Sequence, residues 1–316
     1  MKVVKKILPF VGIAIFAVLV GRIGVEKIWG SLRQAKTHFL IVAFLLNIPA
    51  VILQGVKWKV VLRRLKIKIG FFEVLKLYFL GYFYAAMTPA RAGIIMKGYY
   101  LKEKTRESLT KCSLSVMIDW VFGMFVSYLV ALLGVVFLLG AVVGEGAARI
   151  VLVGVLVLMI LIVFLLFGKG KRFLDFGLSF LPFEGMRKRI SGILERMDEE
   201  KFGVGDFWLI FLANVAFYAM ALIRAYFLAL SAGVGVSFWV LAAAVSLVLT
   251  FAFVPVTVSG IGISEIGLVF LLGQFGAEAS AVITYSLLGY LMVIIPQAVA
   301  GWIASLSYIK KPDAAD

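Results

Sequence analysis

Residues 84–101 read YAAMTPARAGIIMKGYYL. They begin where a membrane-crossing helix should still be running. The apolar run before the break, Phe71–Tyr84, is about 14 residues long, or roughly 21 Å, against a hydrocarbon core of ~30 Å. Pro89 then removes a backbone donor and disfavours helix at Thr88. Thr88 can cap a second helix that has Pro89 at its first position. That helix would carry Arg91 and Lys97 into apolar surroundings, with Gly93 and Gly98 allowing close approach. In lipid, a broken helix with buried cations is tolerated only where it lines protein or a polar cavity. A second break has the same character. Pro255, Ser259, Gly260 and Gly262 interrupt the apolar run 238–275, just before Ser264 and Glu265.

The composition agrees. The 316 residues are 63% hydrophobic with a mean hydropathy of +1.07, which identifies an integral membrane protein. The formal net charge is +15. In a membrane chain such an excess reports topology and anionic membrane lipids as partners, and no nucleic acid is expected. One cysteine, Cys112, excludes an internal disulfide, and one histidine, His38, leaves no histidine-rich metal site. There is no P-loop, zinc-ligand spacing or nucleophile elbow, so neither an enzyme, a cofactor nor a metal is expected.

Topology follows from charge. Lys2, Lys5 and Lys6 precede an apolar run at Ile7–Val20 without a small-x-small cleavage site, which reads as an uncleaved first helix. A second span covers Phe39–Val56. Lys57, Lys59, Arg63, Arg64, Lys66 and Lys68 follow with no acidic residue among them, a strong inside signal. If 71–101 enters the membrane, turns and returns, the basic loop Lys102–Lys111 is also inside. Spans at Ser113–Leu139 and Ile150–Phe167 flank a short outside loop. A mixed-charge cytoplasmic loop occupies 168–206. Phe207–Leu230 and Ala281–Ile309 are the last spans, and the stretch 238–275 between them is a second hairpin entering from the opposite face.

The reading is therefore an all-α polytopic membrane protein, a single domain over 1–316. It has about six transmembrane helices plus two opposed re-entrant hairpins in an inverted-repeat topology. Both termini are cytoplasmic and the membrane is the plasma membrane. The repeat rests on topology, because little residue-level similarity links the halves. Transporters use such repeats around a midplane site.

Embedded ionisable groups are the candidates for chemistry. Arg91 at a half-helix N-terminus suits an anion, phosphate above all, with Lys97 and Arg224 as further headgroup-binding cations. Snorkelling to the interface is the plainer alternative. Glu265 either complements the dipole of a helix capped by Ser264, or is a buried carboxylate for charge pairing or proton relay. Asp119 and Arg224 can pair with each other, with Arg91 or with Glu265, and spacing does not choose.

At both breaks the chain resembles a known family. The first signature is carried by Met87-Thr88-Pro89-Ala90-Arg91-Ala92-Gly93 with Lys97 and Leu101. The second is Pro255-Val256-Thr257-Val258-Ser259-Gly260-Ile261-Gly262-Ile263-Ser264-Glu265, and Met117-Ile118-Asp119-Trp120 adds a third segment. The family is the lysylphosphatidylglycerol synthase transmembrane region, also called the flippase-like domain or UPF0104 family, and the resemblance covers nearly the whole chain. Two positions depart from it. Ile94 stands where many relatives carry an acidic residue, and Ser264 where an arginine commonly precedes the glutamate; both remove a charge. The soluble aminoacyl-transferase domain of the two-part bacterial enzymes is absent from this sequence. The resemblance implies flipping of a phosphate-bearing lipid, a phospholipid or a polyprenyl-phosphate-linked glycolipid, between leaflets. The alternatives are a membrane glycosyl or lipid transferase with Asp119 or Glu265 as base, and a scaffold for a lipid-modifying enzyme.

Overall fold

A computed structural model describes residues 17–88, 92–134, 204–252 and 260–309, with isolated positions between 146 and 157. The expected spans at Ile7–Val20 and Ile150–Phe167, most of the loop 168–206, and Pro89, Arg91, Pro255 and Ser259 lie wholly or largely outside the described residues.

The described chain is helical throughout. Its order is α1 (Val25–Arg33), α2 (Thr37–Leu45), α3 (Asn47–Arg64), α4 (Phe71–Ala86), a 3₁₀ turn (Ala92–Ile95), α5 (Met96–Thr105) and α6 (Leu109–Gly134). Then come α7 (Val204–Ser231), α8 (Phe238–Ala252), α9 (Ile263–Gly273), α10 (Ala279–Gly289), a π turn (Tyr290–Ile294) and α11 (Ile295–Ile309). Among the described residues four helical stretches are long and apolar enough to cross a membrane: Thr37–Arg64, Leu109–Gly134, Gly205–Ser231 and Ala279–Ser307. The first does not end at Val56. It runs on through Lys57 to Arg64, because positions 50, 54, 57, 58, 61 and 62 keep one continuous buried face.

Both interrupted stretches fold back on themselves. In the first, Glu73 meets Lys104 near the open end, the Gly81 backbone faces Lys97, and Gly93 lies on the Tyr84 carbonyl. That is one antiparallel register from base to tip. A Cβ at 93 would overlap the Tyr84 carbonyl oxygen, so only glycine permits this approach. Thr88 closes the tip. Its hydroxyl donates to the Tyr84 carbonyl (2.9 Å) and accepts the Gly93 N–H (2.7 Å). The hydroxyl thus serves a donor five residues on, and the described part of the second arm starts as a 3₁₀ turn at Ala92, while the expected helix start at Pro89 lies outside the described residues. In the second hairpin α8 packs on α9, with Gly267 against Val248. The arms are short: 16 residues in α4 and 11 in α9, or roughly 24 and 17 Å. Neither reaches across ~30 Å.

The halves are related by their contacts. The opening spans, α2–α3 and α7, lie antiparallel along their whole length: Arg64 pairs with Asp206 (2.6 Å), and the Lys36 N–H donates to the Ser231 carbonyl (2.9 Å) at the other end. The first hairpin opens beside the Arg64 end and the second beside the Ser231 end, so they enter from opposite faces. The second arm of each hairpin packs on the first part of its own closing span: α5 on α6, and α9 on α10. Each first arm packs on the far part of the other half's closing span, α8 on α6 and α4 on α11. A glycine makes each of these crossings. A Cβ at Gly134 would overlap Ala243, and one at Gly301 would overlap the Phe79 carbonyl. Small residues at a helix crossing are how apolar spans gain close packing in lipid.

Candidate functional site

The antiparallel crossing of α3 and α7 sets two cations in matched places. Lys57 follows Asn47 by ten residues, and Arg224 follows Asn214 by ten. Lys57 Nζ donates to Asn214 Oδ1 at 3.2 Å, and Arg224 Nη1 donates to Asn47 Oδ1 at 3.1 Å. Each half therefore offers a basic residue to an asparagine of the other. This is the residue-level repeat that sequence comparison of the halves misses.

The first of these places is closed by charge. Asp119 on α6 accepts from Lys57 (2.7 Å) on one oxygen and from Lys97 on α5 (2.8 Å) on the other. Lys57, Lys97 and Asp119 are 5%, 1% and 2% exposed. Lys97 also lies 4.3 Å from the Trp58 ring centroid, and Lys57 5.2 Å from that of Phe217. Asp119 is thus a charge-pairing residue, and its partners among the described residues are the two lysines, not Arg224 or Glu265. Lys97, expected to face a headgroup, is held by an internal carboxylate. Lys57, expected to mark an inside loop, is the cation that sequence reading missed. Its row of basic neighbours hid it, but its place on the 50–54–57–61 face of α3 was the available signal.

The second place is different. Arg224 has Asn47 as its described side-chain hydrogen-bond partner, and Tyr78, Tyr82 and Tyr285 lie near it. Its Nε is buried and has no hydrogen-bond partner among the described residues. No carboxylate among the described residues pairs with it. Asn47 is held firmly. Its Nδ2 donates to the carbonyls of Phe44 (3.0 Å) and Met292 (3.2 Å). The Met292 carbonyl is open because Pro296, four residues on, has no N–H to give it. The π turn ahead of that proline is a feature frequent at functional sites. Tyr78 donates to Gln297 Oε1 at 2.6 Å on the same side.

Glu265 is turned toward the start of its own helix and toward Tyr290. Its Oε2 accepts the Gly262 N–H (2.6 Å) and its Oε1 the Tyr290 hydroxyl (2.7 Å). Gly260 and Gly262 have φ of 81° and 87°, a region that disfavours side chains, which explains the Gly-x-Gly spacing. Gly262, not Ser264, is the N-cap of α9; Ser264 lies within the first turn, its N–H on the Gly260 carbonyl.

An apolar groove of about 570 Å³ lies between α6, α7 and α8, lined by Val126, Leu133, Leu222, Trp239 and Ala243 among others. The Tyr218 hydroxyl at its side bonds to Ser127 (3.2 Å) and Ser246 (2.8 Å). Among the described residues no cluster of His, Cys, Asp and Glu could hold a metal.

No curated protein matches the sequence. The family model for the lysylphosphatidylglycerol synthase TM region matches residues 9–301. That match takes in both hairpins, both opening spans and nearly all of the last span, and it brings a membrane lipid-related function. With both breaks, the buried Lys57–Asp119–Lys97 cluster and Arg224 all inside the matched region, the chain belongs to the lysylphosphatidylglycerol synthase TM region family.

Proposed function

We propose that the protein moves a phosphate-bearing lipid between membrane leaflets, with the headgroup against Arg224 and the hydrocarbon chains left in or beside the bilayer. Arg224 carries this reading. A half-buried guanidinium whose Nε is buried without a partner, with no carboxylate beside it among the described residues, is a standing demand for an anion. Its place between the two halves, where they meet on matched helices, is where inverted-repeat transporters hold their substrates. The apolar groove beside α7 suits a lipid chain. From sequence alone, Arg91 and Lys97 are also assigned to the headgroup; Lys97 is held by Asp119.

On this reading the protein is not an enzyme. The two carboxylates considered as bases, Asp119 and Glu265, have both oxygens engaged. The sequence has no nucleotide motif, so movement is downhill or ion-coupled.

Reconstitution in liposomes with a labelled anionic phospholipid tests it. Wild-type protein should scramble the label. Arg224→Gln should slow scrambling by roughly 10- to 150-fold, the equivalent of ~1.5–3 kcal/mol for a charge-assisted hydrogen bond. Chemical conversion of the lipid without movement would point to a transferase instead, and neither outcome would point to a scaffold.

A further inference from the structure

We infer that the headgroup admitted at Arg224 is anionic overall and carries no cationic group. This rests on the lipid-binding reading above and narrows it. The two halves supply the argument. In the first half, Lys57 is met by the other half's asparagine, by a carboxylate from its own closing span (Asp119), and through it by Lys97 from its own hairpin. In the second half, Arg224 is met by the other half's asparagine in the same way. The closing span, however, brings Tyr285 near Arg224, and the first turn of the second arm, which holds Lys97 in α5, holds Glu265 in α9. Glu265 is turned to its own N-cap and to Tyr290. Among the described residues, the negative charge that Asp119 supplies in one half has no counterpart in the other. A bound anion takes that role.

The same inventory leaves a headgroup cation without a partner among the described residues. A buried ammonium needs a carboxylate. Among the described residues the embedded carboxylates are already engaged: Asp119 with two lysines, Glu265 as above, and Glu73 with Lys76 and Lys104. Tyrosine faces can hold an ammonium, but the three tyrosines here lie near the Arg224 guanidinium. An ammonium brought among them would meet a like charge.

The test uses purified full-length protein and three labelled lipids in phosphatidylcholine vesicles: phosphatidylglycerol, phosphatidylcholine and a cationic aminoacyl-phosphatidylglycerol. Lipid retained by the protein and lipid scrambled are both read. Retention of phosphatidylglycerol should exceed that of the other two by at least about tenfold. Arg224→Gln should bring the three within about threefold of one another. Should that variant fail to fold, competition against wild-type protein serves in its place. Glycerol phosphate should displace labelled phosphatidylglycerol, and choline should not. Equal retention of all three lipids, preference for the cationic lipid, or displacement by choline would overturn the inference. If all three lipids scramble at one rate, the translocation reading stands and this inference falls. If phosphatidylglycerol is retained selectively and nothing scrambles, this inference stands and translocation falls.

Discussion

Lys57 donates to Asn214 across the crossing of α3 and α7, and the same pair of helices repeats the contact in reverse between Arg224 and Asn47. The two contacts look alike but bear different loads. Lys57 keeps Asp119 if Asn214 is lost. Arg224 keeps no described charge partner if Asn47 is lost, and the Met292 carbonyl loses its donor as well.

Asn47→Leu should therefore destabilise the protein more than Asn214→Leu. A buried group left unsatisfied costs ~1–3 kcal/mol, more if charged. Asn214→Leu should cost about 1 kcal/mol and Asn47→Leu at least twice that. Thermal unfolding of the two variants in the same detergent reads the difference. Equal melting temperatures would mean that Arg224 has another stabilising partner.

The Lys57–Asp119–Lys97 cluster carries a net positive charge, so its members are not equivalent. Asp119→Asn leaves two buried ammonium groups facing each other and should cost about 3–5 kcal/mol. Lys97→Met leaves a neutral Lys57–Asp119 pair and should cost clearly less. Combining Asp119→Asn with Lys97→Met removes one of the two stranded ammoniums and should recover part of the loss. Unfolding midpoints in this order support the cluster as described; a more harmful Lys97→Met would contradict it.

At the first tip, Gly93→Ala forces a methyl group onto the Tyr84 carbonyl, so the arms must separate. It should cost more than Thr88→Val, which loses two hydrogen bonds worth about 1 kcal/mol each. Protease sensitivity and melting temperature together check this. If alanine at 93 is harmless, the arms do not meet at the tip.

Opposed hairpins make a topological prediction. Cysteines placed at 66 and 104, in a background where buried Cys112 is replaced, should label from one side of the membrane, and a cysteine at 278 from the other. Labelling of 104 together with 278 would make the first hairpin a full crossing.

Glu265 and Lys57 show where sequence reading succeeds and where it fails. The Gly-x-Gly before Glu265 and the proline at 89 are local signals. Glycine at positive φ and proline without an N–H constrain the backbone whatever packs around it. Apolar run lengths and the placement of lysine and arginine are likewise local, so the membrane class, the breaks and their opposed entry are readable from the chain. Partnership is not local. Lys57 sits in a row of basic residues that all look like loop charges, and only the continuation of α3 puts it inside. Asp119 could pair with any of several cations, because helix spacing gives its face and not its neighbours.

By itself, then, the sequence determined an all-α membrane protein, two interrupted stretches too short to cross, and a short list of embedded charges. The tertiary structure decided which of those charges cancel. It sends Lys97 and Lys57 to Asp119 and leaves Arg224 among tyrosines. It also disclosed that Asn47 and Lys57 repeat as Asn214 and Arg224. Two antiparallel helices bring residues ten apart on one chain segment against residues ten apart on another, and that match exists only once the helices cross.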